Sequence, residues 1–194
     1  YELILNKSNF ESWINKILRF GVVSIDCETT SLNAVEAKIL GFSMSLENSE
    51  SCYVPLEHKK LNSEIDLDYF INQIKIILED SSILKIGQNI KYDLIILKKL
   101  GIKMKNLDDT MLMSYVLRTG QRGHGLDELS LDYLSHNTIK YSDITTIDKK
   151  KVLFSEIPIE NAKDYAAEDA DITFRLWEIL KILLIKDNLY HFYY

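Results

Sequence analysis

The sequence predicts an α/β domain, a mixed β-sheet flanked by helices. Three observations carry this expectation. Four short apolar segments bounded by turn residues read as strands. Longer segments between and after them repeat apolar residues at helical spacing. The fourth strand is reached through a helix, which favours parallel pairing with the first, whereas the first three follow as an antiparallel meander. A length of 194 residues is enough for one such domain with a substantial core.

In chain order, Asn9 to Leu18 places Phe10, Trp13, Ile14 and Ile17 on one side of a short amphipathic helix. Val22 to Ile25 is an apolar run and reads as a buried strand. Lys38 to Leu46 and Ser51 to Leu56 are two more strands, joined by the polar turn Glu47-Asn48-Ser49-Glu50. Leu67 to Leu78 is a helix in which Phe70, Ile74, Ile77 and Leu78 recur on one face. Ile83 to Ile86 is the fourth strand, ended by Gly87, and Lys91 to Leu100 is a helix stopped by Gly101. A short strand is expected near Lys103 to Leu107. Thr110 to Leu117 is helical with Asp109 as its N-cap. Gly120 to Gly125 is a flexible polar loop, Leu126 to Leu134 a helix, and Ser142 to Lys151 polar and irregular. Ile159 to Leu184 is a long terminal helix, continuous or broken once. No repeat, low-complexity tract or domain boundary interrupts this order.

Hydrophobic content of 46% and charged content of 27% are ordinary for a soluble globular protein. The net charge of −6 provides no global basic field for nucleic acid. Any such contact is local, or carried by metal ions or a partner domain. Cys27 and Cys52 lack metal-ligand spacing; a disulfide between them is compatible, and reduced core thiols are the expectation. No apolar run approaches a membrane span and no signal peptide opens the chain. The chain opens at Tyr1 without an initiator methionine and closes on the aromatic cluster Leu189 to Tyr194. It reads as a segment of a longer protein, whose remainder would cover those aromatics.

The chemistry is concentrated in four carboxylates. Asp26 and Glu28 stand two apart on an extended segment, so both point one way while Cys27 points the other. Two anions on one face repel, and a metal between them reverses that penalty. Asn89 and Asp93 lie four apart at a helix start, as do Tyr165 and Asp169 within the terminal helix, and each pair shares a face. Taken singly, each pair has an ordinary structural explanation: a solvated strand end, an N-cap with a first-turn acid, a packed tyrosine beside a surface acid. Glu168 and Asp171 fall on other faces and are expected at the surface. The acids would meet at one edge of the sheet.

The order Asp-x-Glu, Asn-xxx-Asp, Tyr-xxx-Asp resembles the exo I, exo II and exo III motifs of 3′→5′ exonucleases with four acidic residues, in the tyrosine branch. The wording is most similar to the proofreading domain of bacterial-type DNA polymerase I. Gly-Gln-Asn-Ile-Lys-Tyr-Asp at residues 87–93, Asp-Thr-Met-Leu-x-Ser-Tyr at 109–115, Leu-Phe at 153–154 and Tyr-Ala-Ala-Glu-Asp-Ala-Asp-Ile-Thr at 165–173 carry the likeness. It covers nearly the whole chain, and no core motif residue is missing. One departure is Gly123, which separates Arg122 from His124 where the family often has an Arg-His pair.

The resemblance implies a ribonuclease-H-like fold with a five-stranded mixed sheet. It implies an enzyme that removes mismatched 3′-terminal nucleotides from DNA as 5′-monophosphates. Its cofactors would be two divalent ions, Mg2+ or Mn2+, held ~3.5–4 Å apart. Asp26, Glu28 and Asp169 would bind the ion that activates a water. Asp26, with Asp93 acting mostly through waters, would bind the other. Tyr165 would orient the attacking water, since a phenol with a pKa near ~10 is a poor base at neutral pH. Leu32 would wedge against the terminal base, Phe154 would stack on a base, and Thr29 and Asn89 would bond the sugar or backbone. Lys85, Lys91, Lys98 and Lys99 are candidates to line an approach. The implied partners are the single-stranded 3′ end of DNA and a polymerase domain of the same parent chain, in the cytoplasm. Two other readings are an RNA exonuclease resembling the ribonuclease D group and a catalytically silent scaffold of the same fold.

Overall fold

The computed structural model describes every residue except Asn48, Lys60 and Asp148. Asn48 of the expected polar turn and Asp148 of the irregular segment therefore lie outside the described residues.

The first helix follows a short strand. β1 (Glu2–Leu3) leads into α1 (Lys7–Phe20), capped by Asn6, whose side chain accepts the Asn9 N–H at 2.8 Å. α1 ends at Gly21, which takes φ 78°, a left-handed conformation that glycine adopts without steric cost. β2 (Val22–Thr29), β3 (Ile39–Glu47) and β4 (Glu50–Pro55) form the antiparallel meander. α2 (Leu67–Leu78) crosses to β5 (Leu84–Gly87), which pairs parallel with β2 as expected. α3 (Lys91–Lys99) crosses to β6 (Leu107–Asp109), parallel to β5 and slightly later than the expected strand. Then come α4 (Thr110–Leu117), α5 (Leu126–Leu134) and α6 (Tyr141–Ile144). The hairpin β7 (Thr146–Ile147) and β8 (Lys150–Lys151) and a short 3-10 turn at Phe154–Glu156 follow, so residues 142–151 are more regular than their composition suggests. α7 (Ile159–Lys186) is continuous, and α8 (Tyr190–Tyr193) closes the chain.

Among the described residues the sheet has six strands in the order β1-β4-β3-β2-β5-β6, one more than the expected five. The addition is β1, which pairs parallel with β4 through Glu2↔Cys52 and Leu3↔Tyr53. Helices cover both sides. α1 and α2 contribute Phe10, Ile17, Phe70 and Ile77 to the principal core, all fully buried. Burying each such side chain contributes about 1.5–3 kcal/mol. α7 lies against β2, β3, β4 and β5 and also packs on α4 and α5. Cys27 and Cys52 are both buried free thiols. Among the described residues, no helix is long and apolar enough to cross a membrane.

Candidate active site

The site is built on β2, which continues past Ile25 through the two acids to Thr29. Asp26 pairs with Ser43 and Glu28 with Gly41, so both acids project from one face. Cys27 projects from the other face and joins the apolar core. Glycine is required opposite Glu28, because a Cβ at Gly41 would overlap the Tyr53 ring. That ring is fully buried, and its hydroxyl meets His58 Nε2 at 2.8 Å. β2 is interior, so the acids meet over its C-terminal end rather than beside an outer strand.

β5 positions Asp93. Its parallel pairing with β2 ends at Ser24↔Ile86, which frees the Cys27 N–H further along. Asp93, in the first turn of α3 and 3% exposed, accepts that N–H through Oδ1 at 3.0 Å. The turn entering α3 is fixed by a buried acid. Asp109 accepts the N–H groups of Asn89 (3.1 Å), Ile90 (3.0 Å), Met111 (2.9 Å) and Leu112 (3.3 Å). One carboxylate thus caps α4, as expected, and also holds the turn that carries Asn89. Asn89 is not the N-cap of α3; that place belongs to Ile90, and Asn89 takes φ 57°, which asparagine tolerates better than most residues.

α7 supplies Tyr165 and Asp169. Ser24 Oγ donates to the Ala170 carbonyl at 2.6 Å, which ties the helix to β2 beside the acid. Oxygens of Asp26, Glu28 and Asp169 lie within 4.8 Å of one another. Asp93 stands outside this group, bound to the backbone between Asp26 and Glu28. Such crowding penalises negative charge. Burial raises the Asp26 pKa to about 6. Glu28 is raised well above the carboxylate range by burial and then by Asp26, Asp169 and Asp93. Asp93 and Asp169 are also raised, by burial first and Asp26 second. The Tyr165 phenol is raised by burial and then by Asp169, Glu28 and Asp26.

Beside the acids lies a cleft of about 670 Å3, lined by Leu32, Asn89, Tyr92, Tyr141 and Tyr165 among others. Leu32 is 98% exposed at this cleft and is no core residue. Thr29 lines it too, with its hydroxyl bonded to the Tyr92 hydroxyl, which donates to the Ser31 carbonyl at 2.5 Å. Phe154 corrects an expectation. It is 2% exposed and packs with Leu40 and Ala166, so its ring cannot meet a base. Tyr141 stacks on it, rings 6.2 Å apart and 6° from parallel, and presents a half-exposed face to the cleft. Phe154 also meets the Tyr165 ring edge-on at 6.1 Å, so it supports both tyrosines from beneath.

Glu168 and Asp171 are buried, contrary to the expectation of surface charges. Glu168 accepts the Ile139 N–H at 2.6 Å and meets His136 at 2.9 Å, which fixes the segment entering α6 and Tyr141. Asp171 accepts the Ser49 N–H at 2.8 Å and the Tyr1 hydroxyl at 2.9 Å. The 120–125 loop is anchored by His124, which is buried and contacts Ser114 and Tyr115. Gln88 donates to the His124 carbonyl at 2.8 Å, which links this loop to the cleft wall.

A family model described as 3′-5′ exonuclease matches residues 1–185. Similar sequences include DNA polymerase I of Rhizobium leguminosarum, 39% identical over 200 residues, a match covering 93% of this chain and 20% of that protein. DNA polymerase I of Pseudomonas aeruginosa is 38% identical over 185 residues, with the same 93% and 20% shares. The chain thus spans about a fifth of these relatives' length. Among solved structures, Brucella melitensis NrnC with bound Mg2+ superposes with a TM-score of 0.70 at 22% identity, covering 97% of this chain and 85% of that one. Escherichia coli RNase D superposes with a TM-score of 0.72 at 16% identity, covering 97% and 46%. These structures share the ribonuclease-H-like fold.

Proposed function

The chain belongs to the 3′-5′ exonuclease family of the DNA polymerase I type, and from that premise we propose that it hydrolyses the terminal phosphodiester of a DNA 3′ end by a metal-assisted reaction. One observation carries the reading: three carboxylates from β2 and α7 bring oxygens within 4.8 Å of one another. Hard oxygen donors of this kind suit Mg2+ or Mn2+. Their upward-shifted pKa values fit a site designed around positive charge it does not itself supply. When bound, the two ions would activate a water and neutralise charge developing on the phosphorus.

The protein's own groups do the rest. Asp26, Glu28 and Asp169 hold the metal site, and Asp93 completes it while bound to the Cys27 N–H. Tyr165 stays protonated at working pH, so its hydroxyl orients the attacking water by hydrogen bonding rather than taking its proton. Leu32 and Tyr141 seat the terminal bases by apolar contact and stacking, which accept any sequence. Asn89 and Thr29 face the sugar-phosphate. A mismatched end melts more readily and so reaches the cleft more often, which gives proofreading without recognition of the error. Nucleoside 5′-monophosphates leave. The polymerase domain of a parent chain, acting on cytoplasmic DNA, would deliver the strand.

The test is Mg2+-dependent digestion of a 3′-labelled single strand. Asp26→Ala should lower kcat by at least roughly 100-fold, as loss of a group that stabilises transition-state charge does. Tyr165→Phe should lower it less, with little change in KM. Undiminished digestion by Asp26→Ala would remove the metal mechanism. A silent scaffold would show no digestion by the parent chain. The likeness to RNase D and NrnC folds motivates a parallel RNA substrate; cleavage of RNA in preference to DNA would favour the second reading.

A further inference from the structure

Outside the cleft, one groove joins charge to apolar surface in a way the hydrolytic chemistry does not use. α3 repeats Lys91, Leu94, Ile95 and Lys98 on one face, while Asp93, Ile96 and Leu97 on the other are buried. Lys91, Lys98 and Lys103 rim a groove of about 430 Å3 with Leu94, Ile95 and Met104 along it. The three lysines are exposed and, among the described residues, no acidic residue lines the groove. Glu79 stands near one end, where its carboxylate accepts the Lys103 N–H at 2.9 Å.

The neighbouring lysines are already committed. Lys85 is fully buried and donates to the Asp80 and Ile83 carbonyls at 2.6 and 2.8 Å, so it lines no approach. Lys99 donates to the Ala34, Val35 and Ala37 carbonyls and holds the loop that follows Leu32. Among the described residues, no carboxylate pairs with Lys91, Lys98 or Lys103. On a chain of net charge −6, these three form a local positive track. It meets the cleft at the N-terminal end of α3, where Lys91 lies two residues beyond the cleft-lining Asn89. Lys98 stands about 10 Å farther along the helix axis.

We propose that this groove receives the single-stranded nucleic acid that lies 5′ of the nucleotides held in the cleft. Lysines meet its phosphates and the apolar lining meets its bases. The inference rests on the nuclease reading above and extends it to the length of strand the chain engages.

The experiment compares the parent chain with Lys98→Glu/Lys103→Glu on a dinucleotide and on a single strand of about ten nucleotides, beyond the ~4-nucleotide lower limit of small single-strand sites. The variant's kcat/KM ratio of long strand to dinucleotide should fall about tenfold. Fluorescence anisotropy of the long strand, read in an Asp93→Ala background to suppress cleavage, should lose about 1.4 from its log–log salt slope, ~0.7 per phosphate contact. Lys181→Glu/Lys186→Glu places the same charge change on α7 and should leave that slope as in the parent. An unchanged ratio and slope in the groove variant overturn the proposal and leave the groove for a polypeptide partner. If the parent cleaves neither strand, the nuclease reading fails instead, and the anisotropy slope still decides the groove.

Discussion

Asp26 keeps its proton up to about pH 6 because burial disfavours the anion, and Glu28, Asp93 and Asp169 shift the same way. An acid raised above its unfolded value of ~3.9–4.3 gives stability that is complete below that value and is lost as pH rises through the folded pKa. The metal-free protein should therefore weaken from about pH 4 upward, most clearly through about pH 6. A divalent cation bound among them, as proposed, would favour the anions and oppose this loss. Melting curves in EDTA and in Mg2+ should show a larger Mg2+-induced rise in Tm at about pH 8 than at about pH 5. An equal rise at both would remove the argument. The two stacked aromatics separate by role. Phe154→Ala should cost about 3–5 kcal/mol in urea unfolding. Tyr141→Ala should change stability by less than about 1.5 kcal/mol and raise KM for a single strand several-fold. That the four acids, Tyr165 and Asn89 gather at one cleft was legible from motif order. Tyr141 was not, because a half-exposed ring in a polar segment leaves no periodic trace.

At the scale of elements, Asp109 joins the start of α3 to the start of α4 by accepting four backbone N–H groups. Asp109→Ala should cost roughly 3 kcal/mol, from lost charged hydrogen bonds and stranded donors. It should also slow digestion, since Asn89 and Asp93 ride on that turn; Asp109→Asn should recover part of both. Urea melts alongside digestion rates check this, and full activity in a folded Asp109→Ala protein would refute the link. Its N-cap role was readable from sequence, but its hold on the Asn89 turn depends on parallel β5 and β6 and was not. β2 is longer than its apolar run because pairing with β3 continues to Thr29↔Ile39. Glu168 and Asp171 were misread because α7 is covered by the sheet on one side and by α4 and α5 on another, so no single buried stripe marks it.

At the scale of the molecule, the aromatic cluster after α7 folds back onto β6. Asp108 Oδ2 accepts Trp177 Nε1 and the Tyr194 hydroxyl, both at 2.6 Å, and the Asp109 N–H donates to the Tyr193 hydroxyl at 2.6 Å. Phe192 is left 69% exposed. Removing residues 189–194 should lower Tm by about 6–12 °C, from about 3 kcal/mol of lost hydrogen bonds. A melt within about 2 °C of the parent would deny the segment that role. The mixed sheet and its helices were foreseeable from alternating strand and helix signals. The sixth strand was not, since two residues carry no pattern until β4 is there to pair with them. The distance in sequence between β2 and α7 has a further result. Chains are made and folded from the N-terminus, and Tyr165 and Asp169 arrive with the last long helix. A nascent or clipped chain ending before α7 holds three of the four acids, lacks the Tyr165 phenol, and cannot close the oxygen triangle. Under the proposed reaction, the order of synthesis keeps the site incomplete until the last long helix is made.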